Sequence, residues 1–190
     1  MTTEFRKHFT EHQRVVQESV DALESASEAA SRALVAALVA GNKVLTFGNG
    51  GSSAEASHFA EELVGRFRKT RRPFPALSLS SDSSTVTCIS NDFGYEALFE
   101  RQVEAFVKPG DVAVALTTSG KSENVVRALR AARFAGAVTI ALTGAAGVTG
   151  ADADYVVAVP STDSALIQEV HLMLIHVWCA AVDEAVGGTE

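Results

Sequence analysis

The chain has 190 residues, of which 47% are hydrophobic, and a formal net charge of −7 at pH 7. This size and composition suit a single α/β domain with a substantial core. The negative charge argues against nucleic acid as the main partner, whereas a small phosphorylated ligand remains possible because only the local charge matters at a site.

The N-terminal segment, at about residues 3–40, has the apolar periodicity of amphipathic helices and lacks the apolar core of a signal peptide. Cys88 and Cys179 are far apart in the sequence and form no C-x-x-C motif, so we expect two buried, reduced thiols. Both features predict a cytoplasmic protein.

Five short apolar runs then predict β-strands, at residues 44–48, 75–80, 111–117, 138–144 and 155–160. Helical patterns lie between several of them, at residues 52–67, 95–107 and 123–134, and a last helix covers about residues 163–185. Strands that are apolar on both faces and alternate with helices are typical of a doubly wound parallel sheet. We find no internal repeat or linker and predict one domain over residues 1–190.

The loop after the first strand, "GNGGSS", is rich in glycine, which permits a close approach of the backbone to a ligand. It is one residue short of a dinucleotide-binding fingerprint. The basic run "RFRKTRR" at 66–72 stands where the acidic ribose partner is expected, so NAD binding is disfavoured. His58 and Glu62 follow on one face of the next helix. Such a pair is usually a surface contact, but after a glycine loop it could supply a metal ligand and a general base.

The third strand runs into "TTSGKS", which contains the Gly-Lys-Ser of a nucleotide-binding P-loop. A P-loop also needs a glycine five positions before that Gly, and Ala115 occupies this position inside the strand. What remains is a hydroxyl-rich turn at the start of a helix, where anions bind unpaired N–H groups. The alternative is that Ser119 or Ser122 only caps the helix.

The last helix is apolar apart from a few polar residues, among them Gln168, His171 and His176. These residues make it a poor membrane span and a better buried helix, in which each polar group needs a partner. Gln168 and His176 are eight residues apart, which is roughly 12 Å along a straight helix. A shared small ion would therefore require a bent helix or a second subunit. The apolar segments at both ends of the chain either form a subunit interface or cover the sheet.

Four segments, taken in order, resemble the sugar isomerase (SIS) domain family: "GNGGSSAEASHFAEELVGRFR" at 48–68, "SNDFGYE" at 90–96, "TTSGKSENV" at 117–125 and "LIQEVHLMLIH" at 166–176. The resemblance covers nearly the whole chain. It implies a flavodoxin-like α/β fold with a five-stranded parallel sheet in the order 2-1-3-4-5, and a homotetramer with active sites at subunit interfaces. It also implies conversion of D-sedoheptulose 7-phosphate to D-glycero-D-manno-heptose 7-phosphate through a cis-enediol, in nucleotide-activated heptose biosynthesis.

The resemblance assigns Glu62 as the catalytic base and His176 as its acid–base partner. It implies one zinc ion (Zn2+) per subunit, with His58, Glu62, Gln168 and His176 as ligands. The implied substrate contacts are Asn49, Gly50, Gly51, Ser52, Glu62, Asn91, Asp92 and Gln168, with the phosphate at Thr117, Thr118, Ser119 and Ser122.

Two positions depart from the family pattern: Lys121 stands where Asn is expected, and Leu166 where an Arg is common. They bear on substrate preference more than on reaction class. Two alternatives stay open: a non-catalytic SIS regulator, such as an initiator-binding protein, and a SIS isomerase of another ketose phosphate. The presence of Glu62 and His176 favours an enzyme over the regulator.

Overall fold

The computed structural model describes residues 2–149 and 153–187. The helices are α1 (Thr2–Val39), α2 (Gly51–Val64), α3 (Ser83–Phe93), α4 (Leu98–Phe106), α5 (Glu123–Phe134) and α6 (Ser164–Val186), and a 3₁₀ turn at Tyr95–Ala97 precedes α4. The strands are β1 (Val44–Gly48), β2 (Ala76–Ser78), β3 (Val112–Thr117), β4 (Val138–Thr143) and β5 (Tyr155–Ala158).

The strands form one parallel sheet in the order β2-β1-β3-β4-β5, which confirms the predicted flavodoxin-like fold. The chain moves from β1 to β2 at one edge and then returns to place β3 on the other side of β1. Ligands of open α/β sheets bind beyond the carboxyl ends of the strands at such a switch point. Gly48 at the end of β1 pairs with Leu116 of β3, so the loops that follow these two strands emerge side by side.

Helices cover both faces of the sheet. Successive residues of a strand point to opposite faces. Val114 of β3 accordingly packs in a cluster with residues of α1, α2 and α6, and Ala115 packs in a second cluster with residues of α4 and α5. Every residue of β1 and β3 is buried. This coverage on both sides explains why the strands are continuous apolar runs in the sequence.

Helix α6 is long and apolar enough to cross a membrane by length and composition alone, and half of its most apolar window is buried inside the protein. Its Trp178 is fully buried and donates its indole N–H to the hydroxyl of Ser27 on α1, at 3.0 Å. A buried tryptophan that bonds to a neighbouring helix is typical of a core helix, which agrees with the expectation that α6 is a buried helix.

Helix α3 was not predicted from the sequence. Asp82 caps its N-terminus, but Ile89 is the only residue of this helix that is buried, so no apolar periodicity marks it. The same exposure makes the prediction of two buried thiols wrong for Cys88, which is exposed, whereas Cys179 is buried. The predicted strand at 75–80 is also too long, because β2 covers only Ala76–Ser78.

Candidate active site

The loop between β1 and α2 has a backbone that only glycine adopts easily. Gly50 has φ 57°, in the left-handed region, and it immediately precedes α2, whose N-terminus has no side-chain cap. A Cβ on Gly51 would lie 2.7 Å from the Nε2 atom of Gln168 on α6. The amide of Gln168 also donates a hydrogen bond to the hydroxyl of Ser52, at 3.3 Å. The fold therefore brings Gln168 onto the first loop, where the sequence predicted substrate contacts.

A pair of amides joins this loop to the start of α5. Asn49 Nδ2 donates to Asn124 Oδ1 at 2.9 Å, and Asn124 Nδ2 donates back to Asn49 Oδ1 at 3.0 Å. Asn49 Oδ1 accepts a further bond from the hydroxyl of Tyr95, at 2.7 Å. Because both amides are reciprocally bonded, the orientation of Asn49 is defined, and the two predicted substrate loops are held in a fixed relation.

The hydroxyl-rich turn after β3 is organised by its own backbone. The hydroxyl of Thr117 accepts the N–H of Gly120 at 3.2 Å, and the hydroxyl of Ser119 accepts the N–H of Lys121 at 3.3 Å. Ser122 occupies the N-cap position of α5 but makes no side-chain cap bond. The capping alternative is therefore not realised by Ser122, and the anion site at this helix start stays a prediction.

Thr118 extends this turn towards α6, because its hydroxyl lies 3.1 Å from the hydroxyl of Ser164, the first residue of that helix.

Asn91 and Asp92, which the sequence also predicted as substrate contacts, lie apart from this turn. They lie on exposed α3, where Asn91 donates to the carboxylate of Asp92 at 2.7 Å. Over residues 2–149 and 153–187, no hydrogen bond joins these two side chains to either loop, so their predicted substrate contact stays a prediction.

A carboxylate and two imidazoles converge between α2 and α6. His58 Nε2 lies 3.1 Å from Glu62 Oε1 and 3.4 Å from His176 Nε2. One ligand atom from each of the three residues fits within 4.8 Å of the others, and in the described part of the chain this is the group that could hold a metal ion. The spacing of His58 and Glu62 marked the pair in the sequence, whereas the approach of His176 depends on how α6 packs against α2.

Gln168 is separated from His176 along α6. Helix α6 is uninterrupted from Ser164 to Val186, so Gln168 lies about 12 Å along the helix from His176. No break interrupts α6 between these two residues, which favours the second explanation offered above, a contribution from a second subunit. That Gln168 is a zinc ligand stays a prediction.

Two further residues at the site were missed by the sequence analysis. Glu55 lies seven residues before Glu62 on α2, on the same face, and its Oε2 atom is buried with no partner among the described residues. Burial raises the pKa of Glu55 to about 8. The ring of Phe67 stacks on His176 with centroids 5.3 Å apart. The heptad spacing could have revealed Glu55, but no sequence signal distinguishes Phe67 from a core aromatic residue.

His171 has a structural contact in this chain. Its Nε2 atom is 3.1 Å from the carbonyl oxygen of Thr143 at the end of β4, and the side chain is fully buried. Burial lowers the pKa of His171 to about 4, so the ring is neutral and donates this bond. The observation fits the usual role of a histidine on an apolar helix, which is to hydrogen-bond within the core.

The fold and the candidate site together define an α/β protein in which the loops after β1 and β3 lie side by side at the switch point of a parallel sheet. A family model described as "SIS domain" matches residues 7–144. A phosphoheptose isomerase of Aquifex aeolicus is 56% identical over 147 residues, which is 77% of each chain. One of Nitratiruptor sp. is 42% identical over 186 residues, covering 97% of this chain and all of the relative.

Solved structures agree with these relatives. A phosphoheptose isomerase from Francisella tularensis has a TM-score of 0.92 and 34% identity, over 96% of this chain and 98% of the other. The chain belongs to the SIS domain family, within which it groups with the phosphoheptose isomerases. These matches confirm the resemblance to the SIS domain family and the prediction that the protein is an isomerase.

Proposed function

We propose that this isomerase converts D-sedoheptulose 7-phosphate to D-glycero-D-manno-heptose 7-phosphate, a step in nucleotide-activated heptose biosynthesis. The observation that carries the proposal is the convergence of Glu62, His58 and His176 between α2 and α6. The names of the relatives agree with this reaction. A non-catalytic SIS regulator is not favoured, because it needs no such acid–base group.

In this mechanism, Glu62 removes a proton from C1 of the ketose while His176 protonates the carbonyl oxygen on C2. The product of this step is a cis-enediol. Glu62 then returns its proton to C2, and His176 accepts the proton of the hydroxyl on C1, which becomes the aldehyde. A carboxylate and an imidazole suit these roles, since Glu62 can hold the abstracted proton between the two half-steps while His176 gives up one proton in the first and regains one in the second. No redox cofactor is consumed.

The two loops bind the rest of the substrate in this proposal. The phosphate lies at the start of α5, against the hydroxyls of Thr117, Thr118, Ser119 and Ser122. Its support is the uncapped helix N-terminus, which favours anions through its N–H groups and dipole. The sugar hydroxyls contact Asn49, Gly50, Gly51, Ser52, Asn91, Asp92 and Gln168.

The residues present fit a zinc ion, one per subunit. Two imidazole nitrogens and a carboxylate are a common protein ligand set of catalytic zinc, which leaves a further position for substrate. His58, Glu62 and His176 would hold the ion, with Gln168 of a neighbouring subunit as an additional ligand. A bound zinc ion would act as a Lewis acid and stabilise negative charge on the enediolate oxygen.

A homotetramer with interface active sites is supported by an apolar face on α1 and α6. The face includes exposed Phe5, Phe9, Met173 and Val177, with exposed fractions of 64%, 59%, 44% and 58%. A groove of about 340 Å³ runs between the two helices beside Met173 and Val177. Contiguous exposed apolar surface of this kind marks protein contacts.

We further propose that the protein is cytoplasmic.

Incubation of the purified protein with sedoheptulose 7-phosphate tests the function. We expect aldoheptose 7-phosphate to form, to disappear after chelation and to return on addition of zinc. Product formation that is insensitive to chelation would contradict the zinc proposal alone. No product from a folded tetramer supplied with zinc would contradict the heptose reaction, and a panel of other ketose phosphates would then identify the substrate.

A further inference from the structure

A buried ion pair joins the ends of the two helices that carry the acid–base residues. Arg71 Nε donates to Asp183 Oδ1 at 2.8 Å, and the two side chains are only 1% and 3% exposed. Asp183 lies two turns after His176 on α6 and therefore on the same side of that helix. Arg71 belongs to the loop that follows α2, the helix of Glu62.

The guanidinium of Arg71 also caps the C-terminus of α2. Its Nη2 donates to the carbonyl oxygen of Glu62 at 2.8 Å, and its Nη1 donates to that of Leu63 at 3.0 Å. The last carbonyl groups of a helix have no partner within the helix, and without a cap the final turn frays. Since Glu62 lies in this final turn, Arg71 fixes the backbone from which the catalytic carboxylate projects.

Asp183 also holds the loop that follows α2 through its second carboxylate oxygen. Its Oδ2 accepts the N–H groups of Arg68 and Lys69, both at 3.0 Å. The residue immediately before Arg68 is Phe67, whose ring stacks on His176. Burial alone would raise the pKa of Asp183, but the two N–H groups and the Arg71 guanidinium outweigh burial and lower it, so the carboxylate stays charged.

We propose that Arg71 and Asp183 are positioning residues for the isomerisation: they fix the position of Glu62 on α2 relative to His176 on α6. The inference rests on the proposed function. A buried ion pair adds little net stability compared with apolar residues of the same volume. Its directional bonds, in contrast, define geometry, and a misplacement of about 1 Å at reacting groups can cost on the order of 100-fold in rate.

The test compares Asp183→Asn with Asp111→Asn in the full-length protein. Asp111 is a matched control because it is also buried, at 2% exposure, and accepts the N–H groups of Lys43 and Lys108 as well as the ammonium of Lys43. It lies just before β3, at the end of the sheet opposite the site. Both substitutions remove one buried charge from a hydrogen-bonded network. The network of Asp183 extends through Arg71 to the backbone of Glu62 and through Arg68 to Phe67, the neighbour of His176, whereas the network of Asp111 joins Lys43 and Lys108.

We expect kcat of Asp183→Asn to fall on the order of 100-fold, with KM changed by less than about threefold. Asp111→Asn should keep kcat within about threefold of the unmodified protein, although both variants lose thermal stability. Equal kcat values in the two variants, after correction for the folded fraction, would overturn the inference.

Arg71→Lys is the second variant, in case Asp183→Asn fails to fold. Lysine keeps a charge opposite Asp183 but cannot reproduce the fork that reaches two carbonyl groups. A loss of kcat at unchanged KM supports the positioning role, and unchanged kcat overturns it.

A spectroscopic measurement separates this inference from the proposed function. The chain has five histidines, so the Cε1–H resonance of His176 can be assigned with a His176→Gln variant. Ring stacking by Phe67 shifts this resonance, and we expect the shift to change in Asp183→Asn and to persist in Asp111→Asn. Should the unmodified protein show no isomerase activity, the proposed function fails, and this resonance alone decides whether Asp183 positions His176. An unchanged His176 resonance in Asp183→Asn would overturn the inference that Asp183 positions His176.

Discussion

Replacement of Glu62 by Gln separates catalysis from stability in this protein. Glutamine has the shape of glutamate and can still hydrogen-bond His58, but it cannot accept the C1 proton. The side chain of Glu62 is 14% exposed and that of His58 is 40% exposed, with 3.1 Å between Nε2 and Oε1. The substitution therefore removes a charge and a base while it leaves the packing of α2 unchanged.

The expected effects on rate and on stability differ in size. A positioned general base contributes about 10²–10⁴ to the rate, or roughly 3–5 kcal/mol of barrier at about 1.4 kcal/mol per factor of ten. The contact of Glu62 with the partly exposed His58 contributes at most about 1 kcal/mol to folding. We expect Glu62→Gln to lose turnover almost completely while its free energy of unfolding changes little.

Solvent exchange is the most direct assay. In D2O, a functional base exchanges the substrate proton that it abstracts, so deuterium enters the sugar at C1 or C2. We expect Glu62→Gln to abolish this exchange and Glu61→Gln, the exposed neighbour with the same charge change, to retain it. Zinc content is measured in each variant, because loss of metal would also stop the reaction. Full exchange by Glu62→Gln would refute the assignment of the base.

Three other predictions follow from the structure. Gly51→Ala should fold normally, since the side-chain amide 2.7 Å away can move, but we expect the displaced Gln168 to raise KM in steady-state kinetics. Val177→Asp, in the exposed apolar face, should lower the mass measured by light scattering from that of a tetramer, whereas an active wild-type monomer would contradict the interface itself. Burial raises the pKa of Glu55 to about 8 in the folded protein, above its ordinary value of 4.5. The unfolded chain therefore loses this proton first, and the free energy of unfolding falls as the pH rises from 4.5 to 8. Glu55→Gln should therefore raise Tm at pH 8 relative to the unmodified protein and have little effect at pH 4; an equal change at both values would contradict the raised pKa.

Much of the fold could be predicted from the sequence, because the sheet is buried on both faces. Burial on both sides favours apolar residues at most positions of β1, β3 and β4, and such runs are visible without a structure. Helix α3 escaped prediction for the converse reason: it lies at the surface, and one buried residue leaves no periodic pattern.

The order of the strands, by contrast, came from the family resemblance and was confirmed by the observed pairing. Apolar runs alone do not specify which strands are neighbours, since each run fits any central position of a parallel sheet.

The candidate site divides in the same way. Local spacing determined what lies on one helix or one loop: His58 with Glu62, the glycine loop and the hydroxyl-rich turn. Spacing does not reveal which distant partners these groups meet: the family resemblance implied the grouping of His176 with His58, and only the tertiary structure paired Arg71 with Asp183. His176 reaches His58 across 118 positions, and Arg71 reaches Asp183 across 112. The physical reason is that these contacts depend on the packing of α6 against α2, which is set by side chains throughout the shared core.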